Sequence, residues 1–276
     1  MSRRIHPTAI IDERARLGED VEVGAYCVVG PDAALGDGVV LHNHVTVMDR
    51  TVIGSESVVY PYAVLGAEPQ DLKYAGGETR LTIGERVRIR EHATVHRGTE
   101  LGGGETRIGN DCLIMVGVHV AHDCIIEDEV VIANGTMLGG HCLVEFGAGI
   151  GGGAGLHHFT TVGTLAFVGG MARVSKDVPP YVVCQGDPAE PRKLNTTALM
   201  RRRLPVDLID QLRDAFKRLY RSPELPSQAT IESLRAGPRT PREVHRLCDF
   251  VERTQSGTFG RQREADRNAN ADDRVG

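Results

Sequence analysis

The stretch Ile108–Val144, IGNDCLIMVGVHVAHDCIIEDEVVIANGTMLGGHCLV, sets Ile108, Ile114, Val120, Ile126, Ile132, Leu138 and Val144 at strict six-residue intervals. A helix returns to the same face about every 3.6 residues and cannot produce this spacing. The same register continues through Ile150, Leu156, Val162, Val168 and Val174. Toward the N-terminus it returns at Ile83, Ile89 and Val95, and it runs unbroken from Ile5 through Ile11, Leu17, Val23 and Val29 to Leu65. The fourth residue after each aliphatic is small or β-branched, as at Ala9, Cys27, Val45, Cys112, Cys124 and Cys142. Gly and other small or polar residues often follow the aliphatic directly, in IGSE, IGER and IGND, which is a turn signal.

Three sides of six residues close a triangular coil with aliphatics inside and parallel strands stacked about 4.8 Å apart. The composition suits so narrow an interior: 33 Gly, no Trp and only 4% aromatic residues leave Val, Ile, Leu, Ala and Cys to fill it. Such hexapeptide runs resemble the left-handed parallel β-helix transferases, so a mainly β fold of that kind is expected over residues 1–186. Two breaks, Ala67–Leu81 and Glu100–Arg107, are expected to leave the coils as loops, the first functional and the second a spacer. After Val178 the pattern changes. Leu208, Ile209, Leu212, Phe216 and Leu219 fall on one helical face, with further helices expected at Ile231–Ala236 and Pro241–Arg253. A small α-helical C-terminal domain over 187–259 and a disordered, charged tail over 260–276 complete the expected organisation.

A net charge of −5 argues against nucleic acid as an overall partner. The six cysteines form no CxxC pair and suit a reduced, cytoplasmic protein. MSRRIHPTAI has no apolar signal core, and no apolar run approaches the roughly 20 residues of a membrane span. A β-helix prism is convex and offers no deep pocket alone, so a cleft between copies in a homotrimer is expected. Histidines gather in one region, His119, His122, His141, His157 and His158. With coils of eighteen residues, His122, Gly140 and His158 share one column, and Asp123 and His141 the next.

VGVHVAHDC at Val116–Cys124, QDLKYAG at Gln70–Gly76, HRGT at His96–Thr99 and DVPPYV at Asp177–Val182 occur in an order that resembles acyl-[acyl-carrier-protein]–UDP-N-acetylglucosamine O-acyltransferases. The resemblance implies transfer of a 3-hydroxyacyl group from acyl carrier protein, through its phosphopantetheine arm, to the sugar 3-hydroxyl. That is the first step of lipid A synthesis, and it needs no resident cofactor, metal or acyl-enzyme. It further implies His122 as general base, Asp123 as its orienting partner and the Gly140 backbone N–H as oxyanion donor. Gln70, Asp71, Lys73, His141, His157 and His158 would contact the sugar nucleotide, as would Asn195, Arg201 and Arg202 from the helical part. Gly170 matches the acyl-length ruler, where a small residue favours a longer chain, and Phe167 and Met171 stand ready to shorten it. His158, Pro188 and Thr197 depart from residues common in the family, often Gln, His and Glu respectively. Arg86, Arg88, Arg90 and Arg97 offer a basic strip for an acidic carrier. Two alternatives stay open: a zinc site of the γ-carbonic anhydrase type built on His119, His122 and His141, and N-acylation of a 3-amino sugar.

Overall fold

The computed structural model describes residues 3–221, 227–237 and 240–265. Residues 5–178 wind into a left-handed parallel β-helix of three flat sheets. Face one holds eleven strands, face two nine, running from Ile10–Ile11 to Arg173–Val174, and face three eight, from Arg16–Leu17 to Thr161–Val162. Partners lie eighteen residues apart, as Arg4 opposite Glu22 and His119 opposite Met137 show. The periodic aliphatics fill the interior: Val29, Leu65, Ile89, Ile126 and Val168 are all buried. Cys27, Cys112, Cys124 and Cys142 occupy the small slot, and each thiol donates to the carbonyl fifteen residues on, such as Cys124 to Gly139 at 3.2 Å. All six cysteines are free, and burial pushes the Cys112 and Cys184 thiols up to about 12, which removes them from thiolate chemistry.

Where glycine follows the aliphatic, it is needed for close stacking rather than for the turn itself. A Cβ on Gly54 would lie 2.5 Å from the Gly84 carbonyl carbon, and one on Gly84 would lie 2.7 Å from that of Gly109. The bend comes two residues later, where Asp20, Tyr26, Asp111 and Asp123 take positive φ near 52–59°. Gly84→Ala is therefore expected to force coils apart and to cost about 1–3 kcal/mol, read as a lower urea midpoint. An unchanged midpoint would show that the stack yields freely.

Pairing jumps from eighteen residues to thirty across the first insertion, Val64 opposite Thr94, and to twenty-five across the second, Thr94 opposite His119. Both loops are shorter than the breaks in the repeat. Val64–Ala67 and Arg80–Ile83 are strands, so only 68–79 leaves the prism. Glu105–Ile108 is a strand paired with Arg80–Ile83, which confines the second excursion to 97–104. The hexapeptide rule misses these strands because the loop ends supply the β pairing themselves.

The expected boundary at 186 falls inside a hairpin: Val182–Gln185 pairs antiparallel with Glu190–Leu194, which closes face one. Helices follow as α1 (Thr196–Arg201), α2 (Val206–Tyr220), α3 (Gln228–Arg235) and α4 (Arg242–Ser256). Ile209, Leu212, Phe216 and Leu219 of α2 and Val244, Leu247, Phe250 and Val251 of α4 are buried. All of these but Phe216 and Phe250 form a second core with Leu165, Tyr181 and Leu194, while Phe216 packs into the β-helix core. The tail does not begin at 260. Arg261 is buried and donates to the Ser175 carbonyl at 2.8 Å, and Gln262 N donates to Asp177 at 2.8 Å, so 260–265 lies on the last coil. The rest of the expected disordered tail, 266–276, lies outside the described residues. No described helix is long and apolar enough to cross a membrane.

Candidate active site

The edge between faces two and three carries the histidine column. His122, Gly140, His158 and Lys176 follow the face-two strands at eighteen-residue intervals, with Asp123, His141, Phe159 and Asp177 beside them. Backbone bonds from His141 N to His122 O (2.9 Å) and from Phe159 N to Gly140 O (3.0 Å) tie successive coils together here.

His122 Nδ1 lies 2.7 Å from Asp123 Oδ2. The Asp123 carboxylate is buried and also accepts from Thr99 N (2.8 Å) and the Thr99 hydroxyl (2.7 Å), while its own N–H donates to Thr106 Oγ1 (2.8 Å). Burial opposes its charge, but the hydrogen bonds from His122 and Thr99 outweigh that and hold its carboxyl below the ordinary range. The second insertion is thus no spacer. It clamps Asp123, and a Cβ on Gly102 would lie 2.0 Å from the Asp123 carboxyl carbon. Thr99 was legible only as part of HRGT, and nothing in the repeat points to it.

The His122 ring rests over Gly140, where a Cβ would come within 2.6 Å of Cε1 and 2.7 Å of Nε2. Gly139 N and His141 N donate to Leu156 O and His122 O, but the Gly140 amide between them bonds to no described backbone carbonyl. His141 stands edge-on to His122 with ring centroids 5.1 Å apart, and it stacks on Phe159 at 4.3 Å. His119 bonds Thr94 Oγ1 at 2.8 Å, and burial together with His122 holds it below its ordinary value. His96 is pushed to about 4 by burial and by its histidine neighbours. Near His122, the His96 and His119 imidazoles are thus held toward the neutral form, beside one fixed carboxylate.

A cleft of about 470 Å³ opens on face two beside His122 and Gly140. Its floor includes Met137, Leu138, Gly155 and Leu156, its rim His157 and Gln70. Gln70 comes from the first loop, where Asp71 Oδ1 accepts from Lys73 N at 3.0 Å and Lys73 is exposed. That loop is moored to the second by Gly77 N donating to Glu100 (2.5 Å) and by buried Arg97 reaching Glu68 (3.2 Å) and Asp49 (2.8 Å). Met137 and Arg173 also line the cleft, and the repeat pattern does not single them out. His158 faces the C-terminal segment, its Nε2 3.8 Å from Glu264.

Other expected site residues lie elsewhere on the chain. Asn195 caps α1, accepting from Ala198 N and donating to Leu165 O at 2.8 Å. Arg202 pairs with Glu129 at 2.5 Å and covers the Phe146 ring at 4.8 Å, on the opposite edge of face three from His122; Arg201 is exposed at the end of α1. Gly170 and Met171 sit at the edge between faces one and two, with Phe167 outward on face one. The basic strip does not form: Arg86 is paired with Asp111 and Glu85, Arg90 with Glu91, and Arg97 is buried with Asp49 and Glu68, which leaves Arg88. Nor does His119 join a ligand cluster. Among the described residues the converging groups are His122, Asp123 and His141, their ligand atoms within 4.8 Å of one another.

Residues 177–259 match the family model for the second domain of UDP-N-acetylglucosamine O-acyltransferase, and residues 105–140 match that of the bacterial transferase hexapeptide. The structure resembles UDP-N-acetylglucosamine O-acyltransferase (LpxA) from Moraxella catarrhalis at 39% identity and a TM-score of 0.86, covering 90% of this chain and 96% of that one. LpxA from Acinetobacter baumannii gives 38%, 0.86, 90% and 96%, and the Arabidopsis enzyme 32%, 0.78, 89% and 94%. With the His122–Asp123 pair seated over Gly140 on such a frame, the chain belongs to the UDP-N-acetylglucosamine O-acyltransferase family.

Proposed function

We propose that this enzyme moves a 3-hydroxyacyl group from acyl carrier protein to the 3-hydroxyl of UDP-N-acetylglucosamine, the first step of lipid A synthesis, by direct transfer. The observation that carries the reading is the His122–Asp123 pair of 2.7 Å placed over a glycine whose amide bonds to no described backbone carbonyl. Asp123 takes the Nδ1 proton of His122 as a hydrogen bond, so Nε2 is the lone-pair nitrogen that removes the proton from the attacking sugar hydroxyl. The sugar oxygen bonds to the thioester carbon, and the developing oxyanion accepts from Gly140 N–H. As the tetrahedral species collapses the C–S bond breaks, and His122 returns its proton to the departing thiolate. Imidazole suits both steps because its ordinary pKa lies near neutrality.

Met137 outward on face two, with Gly155 beside it on the next coil, leaves apolar surface there, which supports an acyl chain lying from His122 toward Gly170, with Phe167 and Met171 at its end. A homotrimer would bring the two separated sets together: one copy offers Gln70, Asp71, Lys73, His141, His157 and His158, and its neighbour Asn195, Arg201 and Arg202. Exposed Met137 (57%), Phe167 (40%) and Met171 (80%) are apolar surface that such packing would cover. Buried free thiols suit a reducing cytoplasm.

The test is mass spectrometry of UDP-N-acetylglucosamine incubated with the protein and 3-hydroxyacyl carrier proteins of graded chain length, with and without a chelator. A 3-O-acyl product that forms equally well with chelator is expected. Turnover only with the 3-amino analogue would assign an amide product, and loss on chelation would overturn the metal-free mechanism.

A further inference from the structure

Two segments outside the hexapeptide repeat touch the catalytic edge, and they do so in the same way. The loop at 97–104 caps Asp123. Fifty-four residues on, in the same column, Asp177 is capped by the C-terminal segment: it accepts from Thr161 N (2.7 Å) and Gln262 N (2.8 Å), and its N–H donates to Gly260 O (2.9 Å). The segment is fitted closely to that coil. Gly260, at φ 77°, lies against the Lys176 methylenes, and a Cβ there would come within 3.1 Å of them. It also lies beyond residue 259, where the second-domain match ends.

In each case an acidic side chain meets an imidazole. Asp123 holds His122, and Glu264 approaches His158, its Oε1 3.8 Å from Nε2. Glu264 does not wander, because Arg261, itself fixed to the Ser175 carbonyl, donates to its other oxygen at 2.6 Å. The segment is also anchored by the Asp177 and Ser175 bonds, which do not use the Glu264 carboxylate as a partner. His158 sits two coils above His122, on the order of 10 Å along the stack. A sugar ring with a hydrogen bond at each end spans about that distance, so a 3-hydroxyl at His122 leaves the glycosyl diphosphate near His158.

We infer that Glu264 is a positioning residue for the acceptor, orienting His158 as a hydrogen-bond donor to the anionic sugar nucleotide. The inference rests on the assignment of His158 to acceptor binding. Because His158 is half exposed, water screens the pair, and the effect falls on affinity rather than on the chemical step.

The experiment is a double-mutant cycle on the full chain with Glu264→Gln and His158→Ala, read by KM for each substrate, kcat, and calorimetric binding of UDP-N-acetylglucosamine. Glu264→Gln is expected to weaken acceptor binding and raise its KM roughly three- to five-fold, with kcat and the donor KM unchanged. In the His158→Ala background it should add nothing. A Glu264→Gln enzyme identical to the parent would overturn the inference, and so would an undiminished effect in the His158→Ala background, which would mark the segment as structural support. If His158→Ala alone leaves acceptor affinity unchanged, the assignment of His158 fails first and the role of Glu264 goes with it.

Discussion

His122→Ala is expected to lower kcat by about 10²–10⁴ while the chain keeps its fold and its oligomeric state. The ring is only partly buried and lies on the outside of a corner, so its removal leaves the aliphatic interior intact. The loss should appear in kcat and kcat/KM together, with acceptor affinity little changed, because the proton is in flight only in the transition state. Steady-state kinetics beside gel filtration and circular dichroism would check this. Activity within ten-fold of the parent, in a folded protein, would remove His122 from the role of base.

Gly140→Ala should cost nearly as much, by a different route. The added methyl would lie 2.6 Å from His122 Cε1, so the ring must swing away and lose the 2.7 Å contact with Asp123. The same displacement shifts the amide proposed to face the oxyanion, a contact of a kind worth roughly 10²–10³ in kcat. Little strain is expected elsewhere, since Gly140 is not among the positive-φ residues. A kcat drop of about that size with an unchanged thermal midpoint is expected. If the midpoint falls in step with kcat, the glycine serves packing, and the oxyanion assignment loses its support.

The coils were legible because a flat triangular prism admits only aliphatics at one slot in six and only small groups at another, so the periodicity of Val29, Ile89 and Ile126 is a direct image of the interior. The His122, Gly140 and His158 column followed from the same arithmetic. The repeat could not show what lies outside it. Thr99 reaches Asp123 from a seven-residue insertion, and Glu264 reaches His158 from a segment read as tail, since contacts made by a single threonine or glutamate leave no period to detect. Asn195, Arg201 and Arg202 share no surface with the cleft in one chain, and the role proposed for them asks for packing between chains. The arginine strip failed because sequence shows cations but not the acids one coil away: Asp111 meets Arg86 from twenty-five residues on.

Constant eighteen-residue pairing has a consequence for how this architecture can vary. Along the prism axis, length is quantised. One residue added within a side would send every later aliphatic out of its slot, whereas a whole added coil restores the register and moves everything beyond it by about 4.8 Å. Distances measured from His122 can therefore shift in nature only by whole steps, unless the change is made in a side chain at an edge. Fine adjustment along the axis falls to single substitutions of outward side chains at an edge, and coarse adjustment to insertions that leave from corners, as both loops do here.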